Sequence, residues 1–146
     1  MPPAPKIEPS DSAIHDANLG FYRALQAMDL KQMEKVWLHE DWVKCLHPGW
    51  DLVVGWEDVQ RSWEHIFDST REMRVSIGRV AADIVGEVAW VSCIENVTTL
   101  FEEGFASARI EATNIFVRRD ERWLMVHHIT SPVVDRAAEG ASNTVQ

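Results

Sequence analysis

Apolar residues in the first part of the chain recur every three or four positions, and from residue 42 the spacing shortens to alternation. Ile14, Ala17, Phe21, Leu25 and Met28 share one stripe of a helix that Ser10 or Ser12 can cap. Asp29 can cap a short second helix carrying Leu30, Met33, Val36 and Trp37, which ends near residues 39–41. Over residues 42–47, Val43, Cys45 and His47 fall on one side of a strand and Trp42, Lys44 and Leu46 on the other, until Pro48 and Gly49 stop it. A second short strand at 52–54 leads into a helix over 56–68, whose apolar stripe is Trp56, Val59, Trp63, Ile66 and Phe67. Four longer strands follow, at about 74–82, 85–99, 106–119 and 122–132. They are punctuated by Gly86, a Glu102-Glu103-Gly104 turn and an Asp120-Glu121 turn.

Successive strands joined by short turns predict an antiparallel meander. The strand at 85–99 is apolar on both alternating sets, Val88, Trp90, Ser92 and Ile94 against Ala89, Val91, Cys93 and Val97. Both of its faces should therefore be covered, one by the helices and the outer one by a second copy of the chain. The pattern implies an α+β domain over residues 11–133, in which three helices close one side of a cone made by a curved, mainly antiparallel sheet. Such a cone leaves a pocket at its open end. Residues 1–10, rich in Pro, are expected to be a flexible arm, and the small and polar residues 134–146 a flexible tail.

Composition narrows the function classes. A chain of 146 residues supports one core rather than two. With 14 Lys and Arg against 23 Asp and Glu, the net charge is −9, which argues against a nucleic-acid partner. No apolar run is long enough to span a membrane, and the first residues lack the layout of a secretory signal, so a cytoplasmic protein is expected. Cys45 and Cys93 have no CxxC spacing and read as buried reduced thiols. There is no HxH, HExxH, GxSxG or GxGxxG, so neither a metal nor another cofactor is expected.

Three places can carry chemistry. His47 lies at a strand end beside a turn and among aromatic residues, where partial burial can tune it as a general acid or base; the alternative is a histidine bonded to backbone. His127 and His128 are adjacent and point to opposite faces of a strand, so at most one looks inward. A two-residue turn at Asp120-Glu121 puts Asn114 opposite His127, as a register-fixing pair or as a polar pocket wall; a one-residue bulge would reverse the choice of histidine. The chain also has seven Trp, five of them from Trp37 to Trp63. Trp56 and Trp63 suit either core packing or a ligand wall, and Trp50, beside Gly49, suits a pocket rim.

The segments FYRALQAMDL, DWVKCLHPGWDLVVGWEDVQRSWEHIF, VAWVSCIENVTT and ATNIFVRRDERWLMVHHITSPV resemble a SnoaL-like domain of the nuclear transport factor 2-like superfamily, over about residues 12–133. The resemblance implies the cone-shaped α+β fold and a homodimer through the outer sheet face. Its ketosteroid isomerase members imply a proton-accepting group at His47, a hydroxyl donor at Phe21 with Tyr22 one residue away, and a second donor near Asn114. A ligand-binding domain or an enzyme follows, with an apolar pocket for a small apolar or aromatic compound and proton-transfer chemistry of the isomerase, cyclase or dehydratase type on a cyclic carbonyl. In that scheme His47, Asn114 and His127 are catalytic, while Phe21, Tyr22, Trp50, Trp56 and Trp63 contact the substrate. The alternatives are a ligand carrier, an association domain, or a small subunit of a ring-hydroxylating oxygenase.

Overall fold

The structure, a computed structural model, describes residues 9–134. The expected tail lies almost wholly outside them, as does most of the expected arm. Helix α1 (Pro9–Ala27) begins earlier than the spacing implied, with Pro at its first residue, where the missing amide proton costs nothing. Ser12 is thus inside the helix and does not cap it. The helix ends in a Schellman pattern: Met28 takes a left-handed φ of 51°, its amide donates to Leu25, and the Asp29 amide donates to Ala24. Asp29 then caps α2 (Leu30–Val36) by accepting from the Gln32 amide at 3.1 Å. This helix stops before Trp37 because Trp37 turns extended and bridges to Met125, with Leu38 donating to the Met125 carbonyl.

The strands are β1 (Lys44–Leu46), β2 (Val53–Val54), β3 (Glu72–Val85), β4 (Val88–Phe101), β5 (Gly104–Arg119) and β6 (Arg122–Pro132), with α3 (Trp56–Asp68) between β2 and β3. They form one six-stranded sheet in the order β2-β1-β6-β5-β4-β3, antiparallel except where β1 runs parallel to β6. The expected meander is β3 to β6. Its last hairpin closes through Asp120 and Glu121 at φ of 51° and 65°, both left-handed, as a two-residue turn matching the strand twist requires.

Two irregularities decide which side chains look inward. Between Ile115 and Phe116 the pairing of β5 with β6 slips by one residue: Phe116 faces Met125, but Ile115 faces His127 and Asn114 faces His128. Val126 is the extra residue of this bulge. Asn114 therefore shares a face with His128, and the simple-turn register that placed it opposite His127 is corrected by that one residue. The second slip, between Gly78 and Ala81 of β3, bends the sheet along its edge.

Helix α1 lies across the inner face of the sheet, against β3, β4 and β6. Its buried side is wider than the apolar stripe, since Asn18 and Tyr22 are as enclosed as Ile14, Phe21, Ala24 and Leu25. At the open edge of β3, Gln26 supplies an acceptor 2.8 Å from the Val75 amide, which the sheet itself leaves unpaired. The outer face keeps an apolar patch, Val85, Val88 and Trp90, all exposed, at the closed end of the β3–β4 hairpin. No helix among the described residues is long and apolar enough to cross a membrane.

Candidate functional site

The inner face of the sheet, α3 and the turn after β1 enclose a cavity of about 330 Å³. Leu25, Trp63, Ile66, Met73, Val97, Phe101 and Ile110 make most of its wall, and four side chains with chemistry border it: His47, Trp50, Glu95 and His128. A wider, shallower depression near Arg74, Asn96 and Arg109 has no buried ionisable group in its walls. The buried ionisable groups border the cone cavity instead.

His47 is placed by the turn that follows it. The Trp50 amide donates to the His47 carbonyl at 3.0 Å, with Pro48 and then Gly49 at φ 84° between them, a type II turn for which Pro and Gly are the fitting residues. That turn folds Trp50 over the imidazole, with ring centres 4.8 Å apart, while Trp63 meets it edge-on at 4.5 Å. Ser62 gives its own proton to the Val59 carbonyl at 2.6 Å, so its hydroxyl oxygen accepts from His47 Nε2–H at 2.8 Å. The acceptor nitrogen of His47 is therefore Nδ1. Burial holds the imidazole neutral, with its pKa down at about 4.

His128 comes in on the neighbouring strand. Because β1 and β6 are parallel, Cys45 pairs with His128, and His47 lies two residues further along the same face. The ring of His128 sits 4.7 Å from Phe21 and 6.0 Å from Trp63. Its pKa is down at about 3, first from burial and then from repulsion by His47 and His127. His127 itself points to the other face, half-buried beside Lys44, and does not border the cavity.

Glu95 is the group the sequence reading missed. The residue is only 3% exposed, and Tyr22 donates to its carboxyl at 2.6 Å. Burial raises its pKa to about 7, against the downward pull of that hydrogen bond. The phenol of Tyr22 is itself held far above its usual range by burial beside this acid. A signal existed in the sequence: within a strand apolar on both sets, Glu95 has the same parity as Cys93 and Val97, so it had to point into the cone.

Behind these residues is a closed polar cluster. Asn114 donates from its amide nitrogen to Asn18 Oδ1 at 2.8 Å and to Tyr22 Oη at 3.0 Å, and its Oδ1 lies 2.6 Å from His128 Nδ1. Asn114 is completely buried and does not itself border the cavity, so it supports the site rather than touching a ligand. Phe21 is likewise a back wall, packed on Tyr22, Trp63 and His128. Tyr22, expected to contact the substrate, does not border the cavity either: its hydroxyl lies behind Glu95 and donates to that carboxyl. Trp56 is corrected more fully. It stacks on His39 at 4.2 Å near Trp37, outside the cavity, because the helical stripe of α3 wraps from the cone to the α2 side. Trp50 and Trp63 border the cavity, Trp63 also being part of the core. Among the described residues, no group of three or more His, Cys, Asp or Glu could hold a metal ion.

Comparison with known proteins agrees with this architecture. The chain is 26% identical to a proposed dehydratase of the nuclear transport factor 2-like family from Streptomyces avermitilis, with a TM-score of 0.80 over 86% of this chain and 97% of that one. It is 28% identical to a proposed calcium/calmodulin-dependent protein kinase type II association domain from Thiobacillus denitrificans, with a TM-score of 0.73 over 82% of this chain and 94% of the other. It is also 29% identical, over 82% of its length, to the F-box protein SKIP8 of Arabidopsis thaliana, of which it spans about half, 49%. The SnoaL-like domain family matches residues 14–135, nearly all of the folded chain, and the protein belongs to that family.

Proposed function

We propose that the cone cavity binds a small apolar or aromatic carbonyl compound and transfers a proton on it, in the manner of an isomerase, cyclase or dehydratase. The observation that carries this reading is Glu95: a carboxyl bordering an apolar cavity, set by burial to change charge near pH 7, in a wall that also holds the imidazoles of His47 and His128. A group that titrates at working pH both takes and returns protons efficiently. The expected role of His47 shifts accordingly. At a pKa of about 4 it is a weak base, so Glu95 is the proton acceptor and His47, with His128, orients the substrate. A cavity of about 330 Å³ suits one or two fused rings. The dehydratase assignment of the Streptomyces relative fits the same chemistry. The buried thiols of Cys45 and Cys93 suit the reducing cytoplasm.

The test is turnover against a panel of cyclic ketones and β-hydroxy ketones, followed by Trp fluorescence. His47→Ala is expected to lower turnover roughly tenfold, the scale of one lost orienting hydrogen bond. Unchanged turnover in that variant, or no turnover and no fluorescence change with any compound, would sink the reading.

One observation favours a second reading, an association module. The exposed patch of Val85, Val88 and Trp90 on the outer sheet face suits a homodimer contact, and the Thiobacillus relative is an association domain by name. Wild type is then expected to sediment as a dimer and Trp90→Glu as a monomer. A wild type that stays monomeric at tens of micromolar would remove this contact from consideration.

A further inference from the structure

With Glu95 ionised, the hydrogen bonds of the polar cluster behind the cavity fix where its protons sit. Tyr22 has one proton, and its 2.6 Å bond to Glu95 uses it. The phenol oxygen must then accept from Asn114 at 3.0 Å and is free to accept from the Cys93 thiol, 3.3 Å away. Asn18 meets Asn114 through its carbonyl oxygen, which accepts at 2.8 Å. Both hydrogens of the Asn114 amide are thereby spent, and its oxygen can only accept. The partner of that oxygen is His128 Nδ1, at 2.6 Å, which must carry the proton. Nε2 is left as a bare lone pair, and none of these bonds uses it.

We propose that Asn114 is the positioning residue that fixes His128 in the Nδ1–H form, so that the cavity offers its ligand an aprotic nitrogen and selects phenols and enols over their alkylated analogues. The inference deepens the function proposed above by naming the ligand class of the same cavity, and rests on that reading only for where the ligand sits. His128 is on the cavity wall. A hydroxyl reaching Nε2 gains a bond that a methoxy group in the same place cannot make. The methyl ether would instead leave the nitrogen without a partner.

Two measurements test this on the full chain. The first is a long-range proton–nitrogen correlation spectrum of the ¹⁵N-labelled protein at pH 7. His128 is expected to be neutral and protonated at Nδ1; protonation at Nε2 would overturn the proposal. The second is the affinity of 2-naphthol against 2-methoxynaphthalene, read by Trp fluorescence. The naphthol is expected to bind about tenfold tighter. Equal affinities, or no binding of naphthol, would overturn it. In Asn114→Leu the preference should shrink severalfold and His128 should populate both tautomers, whereas a purely structural role would weaken both ligands alike. Should that variant not fold, the two wild-type measurements still decide. Neither needs turnover, so failure of the ketone panel would count against proton transfer without touching this result.

Discussion

Glu95→Gln is expected to lower kcat/KM on any ketone that the wild type turns over by ~10²–10⁴-fold, the usual contribution of a positioned proton-transfer group. Gln keeps the size of the side chain and can still accept from Tyr22, so the cavity should survive while the titrating group is lost. The pH profile supplies the second half of the result. With the folded pKa near 7, wild-type kcat/KM should rise with pH and level off above that value, because the ionised carboxylate is the acceptor. The variant's residual activity should be flat across the same range. A wild-type profile without an inflection between pH 6 and 8, or a variant within threefold of wild type, would remove Glu95 from the reaction.

Folding stability should carry the same three groups with opposing signs. A histidine whose folded pKa lies below its unfolded value of about 6.5 binds its proton more weakly in the native state, so stability is lost as pH falls below that value. His47 and His128, at about 4 and about 3, both behave this way. Glu95 is displaced upward, from 4.5 to about 7, so its contribution is full below pH 4.5 and is lost as pH rises toward 7. Taking wild type from pH 7 to pH 5 should cost ~4 kcal/mol through the histidines and return ~2 kcal/mol through Glu95. Glu95→Gln removes the return, so its urea midpoint should fall about twice as far over that interval. Parallel shifts in the two proteins would show that Glu95 is not held protonated by its surroundings.

The elements were readable because each rested on a local rule. The 56–68 helix was delimited by its own apolar stripe, and its observed bounds, Trp56–Asp68, coincide with it. The last hairpin followed from two turn residues. The polar site was less legible, for two physical reasons. First, a side chain's face depends on register, and one inserted residue at Val126 exchanges His127 for His128 without leaving a mark on the alternation of the residues around it. Second, the helical stripe of α1 was drawn from apolar residues alone. Asn18 and Tyr22 extend the same buried side and are tolerated there only because Asn114, Cys93 and Glu95 bond to them from strands more than 70 residues away in sequence. Nothing local to α1 announces such partners. Trp56 failed for the opposite reason: its spacing was right, but a stripe as wide as that of α3 serves two neighbours, and Trp56 belongs to the α2 side.

The bulge in β6 bears on how relatives of this chain should be compared. It divides the strand into two segments of opposite phase: Trp123 and Met125 anchor the packing end, and His128 and Thr130 serve the chemical end. Closing the bulge, with no change of sequence, would leave the anchor in place and shift the other half by one residue, bringing His127 opposite Asn114 in place of His128. Two homologues can therefore share every residue here and still present different groups to the cavity. Strand phase, rather than aligned position, is the coordinate in which their cavity residues correspond.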